Sequence, residues 1–266
     1  MIKPDKKSFI AYLKCGIRLA QDTKLSNNIH WVSLIYISIS LLGLFLLALL
    51  TFTFSLPTTS FPLQKQLFGL IFGGICILGI SAGTKPQGCS KALHNTKNQK
   101  KNANLKLINN ESLEFKGHHP ACGHYSTHII HLGDKTYCAG CLGLVVGGTA
   151  SLLGLFLYYS TSFFTQKEGL LFLGVGFIGV IFGLLQYYLS KNNFFHFMLN
   201  VFFVLGAFFL FIGVNIVNTS YVVMVYLLSM IVYWIVTRIK LSRLEHRKIC
   251  IHCDSTFCEI KRSFNF

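Results

Sequence analysis

Residues 194–217 read FFHFMLNVFFVLGAFFLFIGVNIV, a run without a single Asp, Glu, Lys or Arg. As a helix rising 1.5 Å per residue it reaches roughly 36 Å, more than the ~30 Å of hydrocarbon in a bilayer. Five more such runs flank it: Trp31–Phe54, Leu67–Gly83, Leu142–Tyr159, Leu170–Leu189 and Tyr221–Val236. A chain of 266 residues has no soluble core that could bury six of them. Composition agrees: 52% of residues are hydrophobic and 12% charged, where a soluble domain holds about a quarter charged. Disordered, collagen-like and small disulfide-stapled classes are excluded. The pattern predicts an all-α polytopic membrane protein of about six transmembrane helices.

Within these runs the ionisable side chains are His196, Cys76 and tyrosines. Trp31, Tyr158, Tyr159, Tyr187, Tyr188 and Trp234 fall at or near span ends, where amphipathic rings favour the headgroup region. Glycines four apart (Gly69/Gly73, Gly79/Gly83, Gly143/Gly147, Gly179/Gly183) predict close helix packing within the chain. Thirty residues precede the first run, too many for a signal peptide, so that run is expected to be a retained anchor.

With six crossings, the N-terminus, the 84–141 loop, the 190–193 turn and the C-terminal segment share one side. Only Lys65 and Lys167 of the 24 Lys and Arg lie opposite, so 22 are on that side. Basic loops stay in the cytoplasm, which predicts a cell-membrane protein with both termini inside. Five regions follow: a basic segment 1–30, helices one and two over 31–83, a cytoplasmic loop 84–141, helices three to six over 142–237, and a Cys-rich tail 238–266. Over residues 6–20, Phe9, Leu13 and Ile17 share a helical face opposite Lys7, Lys14 and Arg18, which suits an amphipathic helix on anionic lipid or one packed on the loop. Asn95–Asn110, rich in Asn and Lys, reads as a linker.

The chemistry is concentrated in 117–142, GHHPACGHYSTHIIHLGDKTYCAGCL. Cys138 and Cys141 have the two-residue gap that lets both thiolates reach one zinc ion, and Gly140 could take a positive φ in such a turn. Thr127–Leu132 and Lys135–Cys138 flank Gly133-Asp134, a tight-hairpin pair. Hairpin plus knuckle predicts a small zinc-ribbon-like Cys/His module, with Cys122 as third ligand and His128 or His131 as fourth. A two-residue register sets Leu132 against Lys135 and Ile129 against Cys138, which puts His131 on the Cys138 face; His128 reaches the knuckle if the strand starts later. Cys250, Cys253 and Cys258 form a second, three-ligand cluster that a loop histidine such as His119 would complete. One or two zinc ions are expected, with iron less favoured, and a reducing cytosol disfavours disulfides.

The run HHP-x-C-x5-H-x9-CAGC-x-G, leading directly into a span, resembles a family of prokaryotic multi-pass membrane proteins of uncharacterised activity. Their hallmark is a Cys/His segment followed by Cys-Ala-x-Cys-Thr-Gly at the start of a helix. The resemblance covers about 30 residues and implies Cys122, His128, Cys138 and Cys141 as the functional set. Where the commoner form has Arg and Thr, this chain has Gly140 and Leu142.

Three functions compete. A zinc-stabilised scaffold or sensor stands first, and its net charge of +15 suits anionic lipid or an acidic protein partner. Nucleic acid is disfavoured, since the linker lysines lack interleaved aromatics. A metalloenzyme at the cytoplasmic surface comes second; Glu111, Glu114 and Asp134 are the only acids near the loop cluster along the chain, and no catalytic residue is assigned. A transporter or channel comes third, because no charged residue falls inside a span.

Overall fold

The computed structural model describes residues 6–53, 62–84, 115–116, 119–120, 128–132, 135–161, 164–189, 192–218 and 220–251. Its helices are α1 (Lys6–Thr53), α2 (Pro62–Thr84), α3 (Ala139–Ser160), α4 (Gln166–Leu184), the single turn α5 (Gln186–Leu189), α6 (Asn193–Val217) and α7 (Tyr221–Ile251). Between α2 and α3 come four short strands, β1 (Phe115–Lys116), β2 (His119–Pro120), β3 (Ile129–Leu132) and β4 (Lys135–Cys138). Six helices contain stretches long and apolar enough to cross a membrane: 29–53, 65–84, 139–160, 166–184, 193–217 and 221–245. The chain is thus helical and multi-pass in character, as its hydropathy predicts.

Helix α6 is the central element. It packs along α4 on one side and α3 on the other, while α2 lies on α3 and α1 on α7. Glycine makes the α4–α6 contact possible. A Cβ on Gly206 would stand 2.7 Å from the Val180 amide nitrogen, and one on Gly179 would stand 2.8 Å from Gly206 Cα. Backbone meets backbone there. Gly143 and Gly147 face α6 in the same way, a Cβ on Gly143 meeting Phe197 O at 2.7 Å. The small-residue pairs therefore serve packing within the chain.

The buried core gathers Phe72, Leu173, Val180, Leu184, Leu210, Phe211, Leu227 and Trp234 around this seam. Large apolar side chains such as Leu70, Leu78, Phe156, Leu171 and Phe202 point outward, as a lipid-facing surface requires. Trp31 is 66% exposed, which leaves it free for the expected interfacial place. Trp234 does not. It is fully buried, and its indole N–H donates to Ser40 O at 3.4 Å, pinning α7 to α1.

Three expected boundaries move. Residues 6–20 are helical as expected, but they run without a break into the first span. The fourth span starts earlier, at Gln166, where the Thr165 amide donates to Glu168 Oε2 at 2.6 Å, and it ends at Leu184 before a turn at Leu185. The last helix passes Val236 and continues to Ile251, because nothing between them breaks a helix and Leu, Arg, Lys and Glu favour one. The region beginning at residue 238 is therefore helical at its start, and Cys250 lies on that helix.

Candidate functional site

The hairpin and parts of several helices come together at one end of the bundle. Strands β3 and β4 pair antiparallel with Ile129 opposite Cys138 and Leu132 opposite Lys135, the register predicted from the Gly-Asp turn. Strand β3 touches α6, and Asn193 Nδ2 donates to Ile129 O at 3.0 Å. Helix α2 reaches the same place, since a Cβ on Gly83 would meet Cys141 O at 3.0 Å. Helix α1 arrives through Ser33, whose Oγ lies 3.3 Å from the Tyr188 hydroxyl on α5.

The two histidines of the hairpin differ in burial. His131, paired with Thr136, is exposed, whereas His128, the residue before the strand, is 6% exposed. The register is the predicted one, with His131 on the Cys138 side of the hairpin, and the chain turns inward ahead of Ile129. Cys138 is buried and Cys141 half-buried. Both flank the first turn of α3, where exposed amides and the helix dipole favour an anionic ligand. Gly140 is helical, so the positive φ expected of a knuckle glycine is absent; the site instead brings it near His196, whose Nε2 would lie 3.5 Å from its Cβ.

His128 sits between two residues of the membrane helices. Its ring meets His196 of α6 edge-on, centroids 4.9 Å apart, and its Nε2 lies 3.6 Å from Glu245 Oε1 on α7. His196 is fixed in turn by the buried Gln186, whose Nε2 lies 2.7 Å from His196 Nδ1 and donates to His196 O at 3.3 Å. Asn200 donates from Nδ2 to His196 O at 2.7 Å and accepts at Oδ1 from Arg238. Arg238 also donates to Gly183 O and lies over the Phe203 ring, 5.1 Å from its centroid. One polar chain thus links the hairpin to α4, α5, α6 and α7. Burial, and after it the negative charge of Glu245, push the Tyr187 phenol above its ordinary value.

Two of these residues are absent from the sequence reading. Arg238, two residues beyond the apolar run, resembles an interfacial basic flank, yet its guanidinium enters the bundle. A charged side chain therefore lies among the packed helices. Glu245 is over a hundred residues from the hairpin in sequence, and only its place on the unbroken α7 brings it to His128.

Among the described residues no three His, Cys, Asp or Glu side chains are grouped so as to hold a metal ion. The donor types near the hairpin nevertheless suit zinc, which takes thiolate sulfur and imidazole nitrogen. Cys122, Cys253 and Cys258 lie outside the described residues, as do His118, Cys89 and the 95–110 segment. His119 is placed by its backbone in β2, opposite Lys116. The loop and the last helix do meet, at His128 and Glu245, five residues ahead of Cys250.

Comparison with protein-family models, with curated proteins and with solved structures finds no match to this chain.

Proposed function

We propose that the chain is a multi-pass cell-membrane protein whose hairpin holds a structural zinc ion against the cytoplasmic end of the bundle, as a scaffold or metal sensor. The proposed ligands are Cys122, His128, Cys138 and Cys141. The observation that carries it is the burial of His128, one residue ahead of the Ile129–Cys138 pair, on a bundle end that the polar chain ties together. Imidazole nitrogen, with thiols three apart at a helix start, makes up a soft metal's preferred donor set. Cys250, Cys253 and Cys258, completed by His119, would hold a second ion. Anionic lipid is the proposed surface for the basic segments, with an acidic protein partner as the protein-level counterpart.

The test is metal content per chain in detergent. Binding of a structural zinc is folding free energy for its module. Cys138→Ser should therefore lose bound zinc and lower the melting temperature, whereas Cys76→Ser, in the apolar core, should keep its zinc. Equal zinc in both variants would overturn the ligand assignment.

Orientation rests on 22 of the 24 basic residues lying on one side of the six crossings. In intact cells a membrane-impermeant maleimide should label Cys89 and Cys258 only after permeabilisation. Labelling of Cys258 from outside would reverse the topology.

A further inference from the structure

We infer that α1 and α7 form one unit that pivots about the connection between Asn218 and Ser220, and that Arg238 latches the other end of this unit to the remaining helices. The ground is a difference in how the two parts of the bundle are held. In α2, α3, α4 and α6 a Cβ added to any packed glycine would first meet an atom of another of these four helices. Several of those meetings are with backbone: Gly143 with Phe197 O at 2.7 Å, Gly176 with the Leu210 amide nitrogen at 2.6 Å and Gly83 with Cys141 O at 3.0 Å. Helices seated backbone on backbone cannot slide without losing the seam. Helices α1 and α7 are joined differently, by hydrogen bonds across their own interface. Tyr226 Oη donates to Gly43 O at 3.0 Å, Trp234 Nε1 to Ser40 O at 3.4 Å and Ser40 Oγ to Thr237 Oγ1 at 3.4 Å.

Between the two units the packing is of large side chains. Val223, Leu227 and Ile231 of α7 reach into the core that holds Phe72, Leu210 and Phe211, and such contacts can shear where glycine seams cannot. The polar ties differ at the two ends. Away from the hairpin, Asn218 Nδ2 donates to Thr51 O at 3.0 Å while its Oδ1 accepts from the Ser220 amide at 2.8 Å. There α1 is bound to the same connection that joins α6 to α7, which makes a pivot. At the hairpin end Arg238 crosses from α7 to Gly183 O of α4 and Asn200 Oδ1 of α6. Longer ties stand beside it, Ser33 to the Tyr188 hydroxyl at 3.3 Å and Glu245 to His128 at 3.6 Å. Both acceptors of Arg238 are neutral, and among the described residues no carboxylate lies within ion-pair distance of its guanidinium. Arg238 is partly exposed near the end of its span, so water and headgroup oxygens can take over from these acceptors as that end opens. Opening therefore strands no charge in hydrocarbon.

The experiment uses the full chain in nanodiscs, with spin labels carried on p-acetylphenylalanine at pairs of exposed positions and distances read by double electron–electron resonance. From Asn218 to Arg238 the chain rises about 30 Å, so a tilt of about 10° displaces the latched end by about 5 Å. Arg238→Met should lengthen the Phe182–Ile239 distance, from α4 to α7 beside the latch, by that amount. Three other distances should stay as in wild type: Leu171–Val222 at the pivot end, Ile35–Ile239 within the α1–α7 unit and Val146–Phe182 within the other. Arg238→Lys, which keeps the charge and loses the planar fork, should give a smaller shift in the same pair. The latch is overturned if no folded variant lengthens Phe182–Ile239. Lengthening of Ile35–Ile239 alongside it would mean that α7 leaves α1, which overturns the unit. A change in all of the pairs would mean general loosening, which overturns the pivot.

Discussion

Gly206→Val should unfold or dissociate the α4–α6 pair, with an expected cost of about 3 kcal/mol or more. The added Cβ would lie 2.7 Å from the Val180 amide nitrogen and 2.8 Å from the Gly179 carbonyl carbon. Both are backbone atoms, so no rotamer change relieves the overlap and the helices must separate. Separation also opens the packing around Leu210 and Phe211, both fully buried. Van der Waals contact supplies much of helix association in lipid, where burial from water contributes little. The check is the midpoint of thermal unfolding in detergent, read by helical circular dichroism and by the monodisperse fraction. Gly174→Ala is the comparison, since a Cβ there meets nothing within 4 Å. A Gly206→Val protein that melts with Gly174→Ala would disprove the seam.

Asn200→Leu is expected to cost about 2–3 kcal/mol, the range for a hydrogen bond to a charged group whose partner is removed. Asn200 Oδ1 accepts from the Arg238 guanidinium, and its Nδ2 donates to His196 O at 2.7 Å. Leucine replaces neither, leaving a cation in the bundle with one acceptor fewer. In an Arg238→Met background the same change should cost clearly less, because the charge that needed the amide is gone. The double-mutant cycle should return a coupling of about 1–2 kcal/mol, read as shifts in unfolding midpoint. Additive effects would mean that the two side chains do not share an energetic contact, and the polar chain from hairpin to α7 would be broken at that link.

The six membrane-length helices were legible because hydropathy acts locally and in sum: twenty apolar residues have one low-energy arrangement in a bilayer whatever their neighbours are. The hairpin register was legible for a similar reason. Gly133-Asp134 leaves two residues for the turn, and that number alone sets Ile129 against Cys138. The different burial of His128 and His131 was not local. It turned on where β3 begins and on the contacts of His128 with His196 on α6 and Glu245 on α7, which strand periodicity does not encode.

Arg238 shows the same limit from the other direction. Its sequence neighbours mark it as a surface cation at the end of a span, and the positive-inside pattern absorbs it without remainder. Only the packed bundle supplies the Gly183 carbonyl and the Asn200 amide that draw it inward. Glu245 needed more still: a helix unbroken from Tyr221 to Ile251, and a hairpin docked on the same end. Hydropathy, charge asymmetry and turn length, each a sum over neighbouring residues, determined the class of protein, the number of its membrane-length helices and the pairing of β3 with β4. Which histidine is buried, which cation enters the bundle and which carboxylate meets His128 were decided by contacts between residues far apart in the chain, from Asn200 and Arg238, 38 apart, upward, whose free energies exist only once the helices have packed.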